Sequence, residues 1–179
     1  MSELLAKDHA ELDKLFFELG VAFEVGEVRQ IHDRLDQFWA RLAMHIRAEH
    51  LGLFPVVLEA VRERPEEAPS LTEAQTTIEE LRGDHDFFVR ELASAMISVR
   101  QLLTSSDDRL LATELVEVET RIHAVAERLA RHNKLEEEGI YLWTSVVLNE
   151  AKRSELEARV QTELTKVPPR FVAEVDTHN

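Results

Sequence analysis

Apolar residues recur every three or four positions through most of the chain, in runs separated by short polar or proline-containing breaks. That spacing is the signature of amphipathic helices. The first should start near Ser2, a favourable N-cap, and run to about Phe23, with EVGEV (24–28) as a turn. A second spans roughly Val28 to Glu63 and stops at Arg64-Pro65. After the loop PEEAPSL, Ser70 and Glu73 form an S-x-x-E capping box for a third helix, which continues to about Leu103. TSSDD then turns the chain into a fourth helix, from about Asp108 to about Leu148. A fifth segment, about 150–166, precedes Pro168-Pro169, and the tail beyond is expected to be loose.

Four long amphipathic helices on short connections predict an all-α, up-down-up-down four-helix bundle over residues 1–150. A short C-terminal helix and loose tail would occupy 151–179. Helices as long as the second and fourth are unusual in small domains, so bends are expected at Pro55 and near Gly139. The stripe Leu156, Val160 and Leu164 should cap one end of the bundle, a dimer contact being the alternative.

Composition narrows the partners. Five glycines and five prolines in 179 residues suit an all-helical chain. A net charge of −14 argues against nucleic acid or an anionic membrane as partner, because phosphate binding needs basic patches. With no cysteine, disulfides, thiolate metal sites and cysteine nucleophiles are excluded. The N-terminus lacks a basic n-region and an apolar h-region, and no apolar run has the length of a membrane span. A soluble cytoplasmic protein is therefore expected; the oligomeric state stays open.

Two phrases repeat. HIRAEHLGLF (45–54) is echoed by HNKLEEEGIY (132–141), so that His45 matches His132, Glu49 matches Glu136, Gly52 matches Gly139 and Phe54 matches Tyr141. The first and third helices carry a matched Asp8-His9 and Asp84-His85. At 100° per residue Glu49 lies about 40° from His45, on the stripe shared with Leu42, Leu53, Gly52 and Val56. His132 and Glu136 share a face with Gly139, Ile140 and Trp143 in the same way, while His85 and His9 sit on the apolar faces of their helices. Four histidines and two glutamates thus converge on the interior. Two unpaired carboxylates buried there cost several kcal/mol each unless a cation compensates. No Lys or Arg is expected on the His45–Glu49 or His132–Glu136 faces, and metal explains the cluster; imidazole and carboxylate donors suit iron, manganese or zinc.

The constellation DH9…H45xxxE49…DH85…H132xxxE136 resembles the hemerythrin-like HHE cation-binding family over about residues 1–145. The resemblance implies a non-heme centre of two iron ions, with zinc or manganese as alternatives, bridged by carboxylates. The family's ligands fall on His9, His45, Glu49, His85, His132 and Glu136. Oxygen-carrying members have His-x-x-x-His on the third helix; here the flanking positions are Leu81 and Val89, which leaves two histidines per ion and an open coordination position. The implied partner is a small diatomic or peroxide ligand, bound, reduced or sensed. An iron-sensing or storage module without turnover, and a metal-free helical interaction protein, are the alternatives.

Other residues are read as bystanders. His32, His50, His123 and His178 point off the stripe, with His50 an outside candidate for supporting the site. Asp13 could orient His9 but is expected at solvent, and Glu137 is expected to be solvated, the alternative being that it supplies the bridging carboxylate if the helix is irregular near Gly139. Tyr141 and Trp143 are expected to serve packing, a redox relay being the alternative. Gly52 and Gly139 are expected to leave room for an exogenous ligand.

Overall fold

Every element among the described residues is helical, as the spacing of apolar positions requires. The computed structural model describes residues 2–64, 66, 69–105 and 108–171. The tail from 172, and parts of the PEEAPSL loop and the TSSDD turn, lie outside the described residues. Helix α1 (Ser2–Val25) reverses at Gly26, whose φ of 77° is a conformation that side chains resist. α2 (Val28–Ala48) returns along it, passes through a π-helical turn at Glu49–Leu53, and continues as α3 (Phe54–Glu63). The Ser70 hydroxyl accepts the Glu73 N–H at 3.2 Å and starts α4 (Leu71–Leu102). α5 (Asp108–Leu135) runs back, crosses a second π turn at Glu136–Ile140, and continues as α6 (Tyr141–Val147). Asn149 accepts from the Lys152 N–H at 2.9 Å and caps α7 (Glu150–Leu164).

α1 packs on α2 and α5, and α4 packs on α2 and α5, closing a four-helix ring. Ion pairs Glu18–Arg34 at 3.1 Å and Glu91–Arg121 at 3.0 Å link α1 to α2 and α4 to α5. α7 lies against α2 and the first π turn, with Leu156, Val160 and Leu164 buried beside Leu53, Phe54 and Tyr141. Among the described residues no helix is long and apolar enough to cross a membrane.

The two long helices do not simply bend at Pro55 and Gly139. At both places the backbone widens by one residue: the Phe54 N–H reaches Glu49 O and the Tyr141 N–H reaches Glu136 O, five residues back in each case. Pro55 falls just after the first π turn, where the ordinary ladder is already interrupted and its missing N–H matters least. The extra residue moves the buried face. A straight helix would bury Val56 and Trp143, which are only partly buried; the chain instead buries Phe54 and Val57, and Tyr141 and Thr144.

The core is two apolar clusters separated by a polar layer. One gathers Leu5, Ala48, Leu53, Phe54, Leu81 and Ile140; the other gathers Leu12, Leu42, Phe88 and Leu129. His9, His45, His85 and His132 each fall between a member of one cluster and a member of the other along their own helix.

Candidate metal centre

All six residues singled out by the repeats meet in that layer. His9 comes from α1, His45 from the end of α2, His85 from α4 and His132 from α5, while Glu49 and Glu136 each open a π turn. Their exposure is between 0 and 3 %.

The imidazoles form two pairs, His9 with His45 (ring centroids 4.9 Å apart) and His85 with His132 (4.7 Å). Each glutamate offers an oxygen to both pairs. Glu49 Oε1 is 3.3 Å from His45 Nε2 and its Oε2 is 3.2 Å from His85 Nε2. Glu136 Oε2 is 3.2 Å from His9 Nε2 and its Oε1 is 3.1 Å from His132 Nε2. Donor atoms of Glu49, His85, His132 and Glu136 therefore cluster tightly enough for one ion, and those of His9, His45 and Glu136 for another.

Every imidazole is held at its other nitrogen. His45 Nδ1–H donates to Asp8 at 2.7 Å and His132 Nδ1–H to Asp84 at 3.2 Å. Arg41 pairs with Asp8 and Arg128 with Asp84. The expectation of no cation on these faces is thus corrected: Arg41 and Arg128 stand one turn before His45 and His132, but they neutralise the aspartates and not the glutamates. His9 Nδ1–H donates to Glu137 Oε1 at 2.8 Å, and His85 Nδ1 faces His50 Nε2 at 2.8 Å. Such contacts fix each ring and aim its Nε2 lone pair inward.

The layer fits a pair of cations on two further observations. His45 Nε2, Glu49 Oε2 and Glu136 Oε1 are fully buried with no hydrogen-bond partner, a costly condition that an ion would relieve. The site also draws positive charge. Burial alone lowers an imidazole's pKa, yet the carboxylates of Glu49 and Glu136 lift His45 to about 10. His132 is lifted to about 9 against the same burial by Glu136, Asp84 and Glu49.

Several side chains reach the site that sequence reasoning placed elsewhere. Tyr141, expected to serve packing, puts its hydroxyl 2.8 Å from Glu136 Oε2, 3.4 Å from Glu49 Oε1 and 3.1 Å from His9 Nε2. Glu137 has a half-exposed side chain yet orients His9, and the carboxylate between the pairs is Glu136. His50 takes the supporting place it was an outside candidate for, Asp13 is exposed as expected, and His123 is 69 % exposed. Gly52 does not leave space for a ligand, and Gly139 faces the Trp143 ring. A side chain at Gly52 would meet Val160 Cγ2 of α7 at 3.2 Å, and one at Gly139 would touch Trp143 at 3.9 Å.

A family model described as Hemerythrin HHE cation binding domain matches residues 1–143. No curated protein and no solved structure matches the chain.

Proposed function

Because the chain belongs to the hemerythrin HHE cation-binding domain family, we propose that it binds two iron ions in the polar layer and acts on or senses a small oxidant: dioxygen, peroxide or nitric oxide. His9 and His45 would hold one ion, His85 and His132 the other, with Glu49 and Glu136 spanning them. The observation that carries this reading is that each glutamate directs an oxygen at each imidazole pair. When bound, a pair of iron ions supplies electrons to, or accepts them from, a small ligand.

The protein's part follows from its own groups. Asp8, Asp84 and Glu137 accept Nδ1–H bonds and so present Nε2 lone pairs to the ions. The two glutamates balance charge that neutral imidazoles cannot. The apolar clusters on both sides keep bulk water out. Donors no more than 3 % exposed suit a ligand of two or three atoms better than an organic substrate.

Anaerobic loading with ferrous iron, metal analysis, and optical spectra before and after dioxygen, peroxide or nitric oxide test the reading. Two ions per chain and bands that change with the added ligand are expected. Two ions with a spectrum indifferent to all three would replace it with iron storage; less than one ion per chain would overturn the dinuclear site.

A further inference from the structure

The pseudo-two-fold relation between the halves of the site is broken at two matched positions. Phe54 and Tyr141 each stand five residues beyond their glutamate, and His50 and Glu137 each stand one residue beyond. Phe54 stacks on His85 with ring centroids 6.0 Å apart and adds no polar atom. Tyr141, 1 % exposed, brings a hydroxyl into the donor group of the other pair.

That hydroxyl has more acceptors than it can serve. Glu136 Oε2 and Glu49 Oε1 are carboxylate oxygens, and in the tautomer whose Nδ1–H is given to Glu137, His9 Nε2 presents a lone pair. One O–H satisfies one of these three neighbours and leaves its oxygen facing the lone pairs of the others. A cation among the four atoms resolves the conflict. Donors at right angles, about 2.1 Å from one ion, lie about 3.0 Å apart. The three separations of 2.8, 3.1 and 3.4 Å bracket that value.

We propose that Tyr141 Oη is a further ligand of the ion held by His9 and His45, which makes the two ion positions unequal. The inference rests on the two-ion reading above. His9, His45, Glu49, Glu136 and Tyr141 serve one position; His85, His132, Glu49 and Glu136 serve the other. On coordination an oxygen–metal bond replaces the phenol O–H bond, and the proton leaves to solvent. Phenolate is a proven iron donor in proteins and favours the ferric state, so the Tyr141 position is the one that holds its ferric ion more tightly.

The chain contains a single tyrosine, so any tyrosinate signal belongs to Tyr141. The test loads the full chain with ferric iron, measures metal content, and records visible absorption and the Raman spectrum excited within it. A phenolate-to-iron charge-transfer band with tyrosinate ring vibrations is expected. Tyr141→Phe should lose both while still binding iron, and Phe54→Tyr should strengthen the band by adding a phenol at the matched position. Wild-type protein with two ions and no tyrosinate signal would overturn the inference alone, as would a band that survives Tyr141→Phe. Iron uptake below one ion per chain would overturn the two-ion reading and this inference with it.

Discussion

Asp8 and Asp84 sit next to His9 and His85 in the sequence but serve His45 and His132 on neighbouring helices. Adjacent residues on a helix point about 100° apart, so each aspartate faces a neighbouring helix and not the site-facing side of the ring beside it. The doublets were therefore legible as a repeat, while their partners depended on which helices pack together. Arg41 and Arg128 were missed although helix arithmetic could have found them: at about −40° from each histidine they share its face, and both pair with the aspartate that holds it. Asp8→Asn and Asp84→Asn keep the shape but weaken the hold on the imidazole Nδ1–H. Each should lower metal affinity by about 10- to 100-fold, measured by competition with a chelator, whereas His123→Ala should change nothing. The ion-free site has its own pH dependence. His45 and His132, raised to about 10 and about 9, contribute stability that is full below their ordinary pKa of 6.5 and fades as pH climbs through the raised values. Metal-free protein should therefore melt at a lower temperature at pH 10 than at pH 6, by calorimetry with chelator present.

At the scale of the element, the two π turns separate what periodicity could foresee from what it could not. Straight-helix arithmetic places His45, Glu49, His132 and Glu136 correctly, then errs by one residue, because each helix slips one hydrogen-bond register at its glutamate. Tyr141 lies five residues past Glu136, about 140° off its face on a regular helix. The slip turns it inward. The hydrophobic pattern did carry a trace of this, since Phe54, Val57 and Val61 outline the buried face and Val56 is only partly buried. The glycines follow the same logic: Gly52 lets α7 approach, and Gly139 packs loosely. Gly52→Leu should cost about 1–3 kcal/mol through overpacking against Val160, with part recovered by Val160→Ala in denaturant titration. Gly139→Ala, facing only an ordinary contact, should be neutral or stabilise by up to about 1 kcal/mol.

For the whole molecule, the all-helical bundle was legible because long periodic runs and short breaks admit few other architectures, and the six convergent residues were legible because they repeat. The Leu156, Val160 and Leu164 stripe announced that α7 would pack on the bundle, but its place against α2 and the first π turn was not legible. Each glutamate touches a histidine of its own half and one of the other, so ions bound as proposed would tie the two hairpins together. Metal that binds only the folded chain adds about 2.7 kcal/mol when present at 100 times its dissociation constant. For a chain of this size that corresponds to roughly 5–10 °C in Tm. Removing iron with a chelator should lower Tm by that amount in calorimetry; an unchanged Tm would mean the ions add nothing to the fold.

The doubled pattern has one more consequence. A peptide ending after Glu63 would carry two of the four convergent histidines, His9 and His45, and one of the two convergent glutamates, Glu49. Two copies facing each other would present an equivalent set of six donors. A homodimer of such hairpins must repeat every residue, so its two ions would have identical surroundings. Joining the halves in one polypeptide lifts that constraint: Phe54 and Tyr141, or His50 and Glu137, can then diverge independently. Chemical inequality between neighbouring ions is thus a property that covalent fusion permits and a symmetric assembly of copies forbids.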